Sequence, residues 1–309
     1  MRFLSPGAGE PPAVSVVIRA RNESALIGRC LDALSAQDCA GAAEVILVDS
    51  GSTDGTVEIA RRRAVQIIEI PPGEFTYSSA LNRGFAAARA PLVLSLSAHV
   101  VPIGPGWLST LLAAMRDPEV AGAFSREIPW PDADFYERLR LETEFPPFRM
   151  VKARRFTWGE EDGERYPLFF RFSNAASVIR RSLWESHPFQ ELPYAEDLEW
   201  SRWAILAGHQ IVYEPSARAY HSHREPLRSR AEREVKMQLA LAMIFHHRPS
   251  LLGTIYRSLR QNVQLARSAL RAPISAAQKC YWSLYALSKW TSFSLSWAGA
   301  WRRASWMAR

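Results

Sequence analysis

From Leu92 to Pro102 the chain reads Leu-Val-Leu-Ser-Leu-Ser-Ala-His-Val-Val-Pro, apolar until Ser97 and His99 interrupt the run. Such a run reads as a buried strand, and in an open α/β sheet ligands are bound outside the carboxyl ends of the strands. Two apart on a strand, Ser97 and His99 point the same way and mark the floor of a site. Two other apolar runs end as abruptly. Val14 to Ile18 stops at Arg19-Ala20-Arg21-Asn22-Glu23, and Glu44 to Val48 stops at Asp49-Ser50-Gly51-Ser52-Thr53-Asp54-Gly55-Thr56. Arg19 and Arg21 suit a diphosphate, and Asp49 suits the donors of a base or ribose. The turn from Gly51 to Thr56 offers backbone N–H groups at a helix start. No Gly-x-Gly-x-x-Gly or Walker-type run follows the first strand, which argues against a dinucleotide dehydrogenase or a P-loop ATPase.

The elements needed to position these groups alternate. Leu26, Ile27, Cys30, Leu31 and Leu34 recur at helical spacing between the first two strands. Thr56 to Arg63 reads as a second helix capped by Asp54 or Thr53, and Ala64 to Ile70 as a third strand. Strands alternating with helices imply a parallel sheet. With 309 residues, 48% of them apolar, the chain holds one large domain or one domain with an appendage. Three cysteines, Cys30, Cys39 and Cys280, have no metal spacing and suit a reducing compartment. The amino-terminal residues lack the apolar core of a secretory signal, so the expected location is cytoplasmic.

Taken together, Val14 to Glu23 and Val48 to Thr56 resemble the amino-terminal half of family 2 glycosyltransferases with the GT-A fold. Four further stretches extend the resemblance in order. Tyr77-Ser78-Ser79-Ala80-Leu81-Asn82-Arg83-Gly84 resembles the family's segment near the nucleotide, and Leu94 to Pro102 falls where the family places a metal-binding Asp-x-Asp. Phe172-Ser173-Asn174-Ala175-Ala176 resembles its acceptor-side segment. Ala195-Glu196-Asp197-Leu198-Glu199-Trp200 resembles the Glu-Asp motif that holds the catalytic base. The resemblance covers about residues 13 to 225 and is nearest to bacterial enzymes of surface polysaccharide assembly, rhamnosyltransferases among them.

It implies an α/β GT-A fold and an inverting transfer from a nucleotide-sugar donor to a glycan or lipid-linked acceptor. Arg19, Arg21, Glu23, Asp49, Ser50, Asn82, Ser97 and His99 would then bind the donor nucleotide, and Asn174 and Arg202 the acceptor or sugar. Asp197 would be the base and Glu196 its alternate; a position near a helix amino end lowers a carboxylate's pKa and also suits a cap. Arg202 would meet the diphosphate or pair with Glu199. The chain departs from the family at the metal site, where Ser97-Ala98-His99 offers no pair of hard oxygen ligands for Mg²⁺. His99 with His221 or His223 is a candidate site for Mn²⁺ or a similar ion, since imidazole suits first-row metals better. Without an ion, Arg19, Arg21 and the histidines would carry the leaving-group charge themselves. Two other functions stay open: an inactive sugar-nucleotide-binding scaffold, favoured by the lost carboxylates, and a nucleotidyltransferase. The second would need a Gly-rich loop that Arg19 to Ser24 lacks.

Phe124 to Leu168, rich in Trp, Pro and charge, is the expected acceptor-facing insert and mobile loop. Trp107 is expected in the core. Residues 13–227 form the catalytic domain and 228–309 a basic helical tail, with fourteen Lys or Arg against two Glu. Trp282, Ala286, Trp290, Phe293, Trp297 and Trp301 follow helical spacing, with Lys289, Ser292, Ser296 and Arg303 read as the opposite face. That pattern suits an anionic membrane surface, placing the protein peripherally on the inner face of the cell membrane. The alternative is packing on the catalytic domain or a twin chain. No recognised nucleic-acid module is present, so no nucleic-acid partner is expected.

Overall fold

A computed structural model describes residues 12–39, 43–63, 65–154, 169–223, 226–246 and 249–304. They divide into two compact units. The first holds the described residues up to Trp130 together with Glu142–Leu192 and Glu196–His221; the second holds Pro131–Leu141, Pro193–Ala195 and the described residues from Ser222 onward.

The first unit is organised by a nine-stranded sheet. Its parallel half contains β1 (Val14–Ala20), β2 (Ala43–Asp49), β3 (Gln66–Glu69) and β4 (Leu92–Ser97), with β1 between β2 and β4. Alternation along β1 serves both faces of the sheet. Val14, Val16 and Ile18 join a core with Ile27, Cys30, Leu31 and Leu34 of α1 (Ile27–Ser35) and Trp107, Leu108 and Leu111 of α4 (Trp107–Ala114). Trp107 is thus a core residue. Between them in sequence come α2 (Thr56–Arg61), shorter than its pattern suggested, and α3 (Tyr77–Ala87).

Helix α3 lies against the other face, where Val17 and Val48 point, and it comes so close that only glycine fits at position 84. A Cβ there would lie 2.2 Å from Val17 Cγ1 and 3.0 Å from Val48 Cγ2. Gly84→Ala should therefore cost about 3 kcal/mol by overpacking the helix on the sheet, read as a lower denaturation midpoint.

The second half of the sheet runs through β5 (Val101–Pro102), β6 (Val120–Ile128), β7 (Met150–Lys152), β8 (Ala176–Arg180) and β9 (Gln210–Tyr220). β8 joins β4 to β6, antiparallel to both, and β9 pairs parallel with β6. The β6–β9 register jumps between Ser125 and Arg126, whose partners are Glu214 and Arg218. Such an irregularity re-aims the side chains beyond it, here Glu127 and the residue after β9, His221. Part of the expected insert has regular structure: Phe124 lies in β6, Phe145 packs 3% exposed, and α5 (Phe135–Glu144) and β7 follow. Its central stretch, including Trp158, lies outside the described residues. Two shorter helices complete the unit, α6 (Arg181–Ser186) and α7 (Glu196–Leu206).

The second unit contains most of α5 together with α8 (Leu227–Ile244), α9 (Leu251–Arg271) and α10 (Ala276–Ala304). The aromatic stripe of α10 lies inside this unit. Trp282, Phe293 and Trp297 are buried, the last two against Ala231 and Val235 of α8. Lys289 is on that buried stripe as well, three residues from Ala286 and four from Phe293, and its Nζ lies 2.5 Å from Glu234 Oε2. The Trp face read as a membrane surface is instead packing, with Lys289 inside it. Among the described residues no helix is long and apolar enough to cross a membrane.

Candidate active site

The parallel strands end level with one another: Arg19 pairs in register with Val48 and Ser97, and Ala20 with Asp49. The loops beyond are laced by their own side chains. Asp49, 2% exposed, accepts hydrogen bonds from the backbone N–H groups of Gly51 and Ser52 and from the Ser52 hydroxyl. Asn22 Oδ1 accepts from Thr53 N, and Asp54 Oδ1 from Thr56 N and its hydroxyl. The Asp54 carboxyl is correspondingly held well below its usual range, chiefly by Thr56. The N–H groups of Gly51, Ser52, Thr53 and Thr56, expected to await a phosphate, are thus engaged, because short polar side chains at turns bond locally. Helix α2 is preceded by Gly55 in the left-handed region, φ 94°, rather than by a side-chain cap.

Several residues assigned to the donor have other work. Ser50 is fully buried. Asn82 donates from Nδ2 to the Phe189 carbonyl and accepts at Oδ1 from Trp184 Nε1 and Phe189 N, tying α3 to the chain around α6. Glu23 holds His99, its Oε1 lying 2.8 Å from Nδ1. Arg21 is exposed on its loop.

Arg19 is different. Its guanidinium lies 5.2 Å from the Tyr77 ring centre, and its Nη1 lies 3.7 Å from Glu196 Oε1. Its buried Nε and Nη1 make no hydrogen bond among the described residues. A cation with unfilled donors beside strand ends is suited to an anionic group.

β4 ends at Ser97, so His99 stands in the turn beyond it and not on the strand. Ala98 N donates to the Arg19 carbonyl and Ser97 N to that of Ala175, which fixes this turn between β1 and the segment before β8. His99 Nε2 faces His221 Nε2 at 3.1 Å, with the rings stacked 5.0 Å apart. His221 Nδ1 pairs with Glu127, whose other oxygen accepts from the Ser173 hydroxyl. Where each Nδ1 donates to its carboxylate, the two Nε2 lone pairs face each other. Two lone pairs cannot oppose each other at that distance without positive charge between them. A shared proton or a metal ion supplies it, and 3.1 Å is the spacing of neighbouring ligands on an ion with bonds of about 2.1 Å to nitrogen.

His99 and His221 therefore fit a first-row ion, with Glu23 and Glu127 orienting them. Glu127→Gln should weaken Mn²⁺ binding ten- to a hundredfold while leaving the fold intact, measured by calorimetric titration. Glu127 was missed in the sequence; its signal is a single carboxylate at the far end of an apolar strand, 3% exposed once folded. His223 belongs to the second unit.

Asp197 and Glu196 open α7, just after Ala195 in the left-handed region at φ 65°. Asp197 Oδ1 accepts from Leu198 N at 2.8 Å and Oδ2 from Asn174 N at 3.2 Å. Glu196, 5% exposed, is occupied by Arg19 and by Asn174 Nδ2 at 3.4 Å, which leaves Asp197 as the better base. Asn174 is itself 1% exposed and bonded to Ser177, and it holds the pair of carboxylates. Glu199 is held by His187 at 3.1 Å, and Arg202 is half-buried further along α7.

Burial, then the Glu196 charge, pushes Asp197 up to about 7. The helix amino end was expected to lower it, but desolvation beside a like charge outweighs two backbone donors and Arg19. A carboxylate tuned near neutrality, a half-buried cation and a paired-histidine centre form a set suited to deprotonating a hydroxyl beside an anionic leaving group.

The chain has relatives among glycosyltransferases. It is 30% identical over 191 residues to the O-antigen chain rhamnosyltransferase WbaN of Salmonella anatum, a match covering 58% of this chain and 56% of that protein. It is 32% identical over 160 residues to validoxylamine A glucosyltransferase of Streptomyces hygroscopicus, covering 48% of this chain and 36% of that one. The chain thus spans little more than half of the first and less of the second. In fold it resembles the mannosyltransferase PcManGT of Pyrobaculum calidifontis, solved with GDP-Man and Mn²⁺, with TM-score 0.62, 20% identity, and 96% of this chain and 89% of that one covered. It also resembles TarS of S. aureus, solved with UDP-GlcNAc, with TM-score 0.55, 17% identity and coverage of 92% and 74%. The architecture is that of GT-A glycosyltransferases with added carboxy-terminal helices. The family model for glycosyl transferase family 2 matches residues 15–186, more than half of the chain, and the protein belongs to that family of enzymes.

Proposed function

We propose that the chain transfers a sugar, with inversion, from a nucleotide-sugar donor to a hydroxyl of a glycan or lipid-linked acceptor in surface polysaccharide assembly, working peripherally at the inner face of the membrane. The observation that carries the reaction is the Asp197 carboxylate, held by Asn174 and Leu198 amides and raised to about 7. Asp197 takes the acceptor proton while the acceptor oxygen forms its bond to the anomeric carbon. The bond from that carbon to the diphosphate oxygen breaks, and its electron pair leaves with the nucleoside diphosphate. Arg19 meets the growing negative charge, and Arg21 stands on the loop above the same strand end. An ion held by His99 and His221, Mn²⁺ rather than Mg²⁺, would add positive charge for the diphosphate. The acceptor class is supported by likeness to the O-antigen rhamnosyltransferase.

The test is a screen of nucleotide sugars, activated rhamnose among them, for hydrolysis and transfer with and without Mn²⁺. Asp197→Asn is the control. Consumption of one donor class, lost in the variant, is expected. Absence of donor binding and turnover across the screen would remove the proposal.

A further inference from the structure

Helix α9 is built inside out. The face it buries carries Thr254, Ser258, Asn262 and Ala269 along with Leu265. Hydrogen bonds hold that face, Ser258 Oγ to Glu234 at 3.4 Å and Asn262 Nδ2 to the Ser258 carbonyl at 2.8 Å. Its outer face carries Leu252, Tyr256, Val263 and Leu270, exposed by 76, 61, 40 and 56%. Their spacing of four, seven and seven residues makes one stripe along the helix. Helices ordinarily turn such a stripe inward, and exposed contiguous apolar surface marks an interaction site.

Charge identifies the occupant. Arg260 and Arg267 each lie three or four residues from members of the stripe, and Arg271 extends their row. No Asp or Glu occurs after Glu234, while eleven Lys or Arg do. We propose that this face of α9 rests on an anionic lipid bilayer. Leu252, Tyr256, Val263 and Leu270 enter the headgroup boundary, and the arginine row meets lipid phosphates. This rests on the reading of a lipid-linked acceptor used at the membrane. A second copy is a poorer occupant, because α9 and α10 carry no carboxylate to answer the other copy's arginines.

Flotation of the full chain with phosphatidylglycerol-rich vesicles, against phosphatidylcholine vesicles, tests the proposal. The unaltered chain is expected to float with the anionic vesicles only. Arg260→Gln, Arg267→Gln and Arg271→Gln together should weaken binding about a hundredfold. Leu252→Gln, Val263→Gln and Leu270→Gln together should abolish it, and Leu252→Gln alone, at the most exposed of these sites, should weaken it should the triple variant fail to fold. Donor hydrolysis in solution should be unchanged in all of them. If the unaltered chain does not float, the membrane reading falls with this one. If it floats and the variants float equally, only the assignment to α9 is overturned. A concentration-dependent dimer that the leucine variant abolishes, with no vesicle binding, would give the stripe to a second copy and overturn the proposal.

Discussion

Asp197→Asn should lower the rate of transfer by about 10³-fold or more while making the folded protein more stable above pH 7. The two effects have one cause. In the unfolded chain Asp197 ionises near 3.8, and in the fold it does so near 7, because it is desolvated beside Glu196. Between these values the folded state binds the extra proton, so this group's contribution falls as pH rises from about 4 to about 7 and stays low beyond. Above pH 7 the ionised carboxylate costs on the order of a few kcal/mol, which the neutral amide avoids. Melting curves of the two proteins should therefore coincide near pH 4 and separate by several degrees at pH 8, the variant higher. Transfer by the unaltered enzyme should rise with pH through about 7, as Asp197 loses its proton, and that limb should vanish in the variant. A variant that kept its rate, or melted lower at pH 8, would end the assignment of Asp197 as base.

What the sequence made legible follows how local each signal was. β1, β2 and β4 were readable because β-branched and leucine runs stop where polar residues begin, and the structure puts those stops level. Asp197 was readable because its motif is contiguous. Its ionisation was misjudged, since the helix amino end is visible in sequence but the enclosure beside Glu196 comes from the fold. Asn82 and Asn174 look like ligands in a one-dimensional motif, yet both are buried or half-buried ties between segments up to 107 residues apart. Glu127 was hidden for the converse reason: it reaches His221 across 94 residues through a register jump that no local pattern announces. On α10 the aromatic periodicity was right and its direction was not. A stripe of Trp reads the same whether it faces lipid or α8, and only Lys289 meeting Glu234 inside decides it.

Replacing either histidine of the facing pair should weaken Mn²⁺ binding. The unaltered chain is expected to bind one equivalent of Mn²⁺, and His99→Ala and His221→Ala each to weaken that binding by at least a hundredfold, read by calorimetry and by the visible spectrum of Co²⁺ in the same site. Transfer should stop on chelation and return with Mn²⁺ more fully than with Mg²⁺, because two imidazoles replace the hard oxygens that Mg²⁺ demands. The argument is electrostatic before it is a matter of ligand preference. With Nδ1 of each ring donating to Glu23 or Glu127, the two Nε2 atoms facing each other at 3.1 Å require a positive centre. Losing one ring removes both a ligand and the reason for the charge to reside there. Arg19 alone would then face the departing diphosphate, and Arg19 already answers to Glu196. Transfer that survives chelation, in a chain that binds no Mn²⁺, would overturn the metal and place a shared proton between the rings; His221→Ala would still lose activity, since the positive centre goes with the second imidazole.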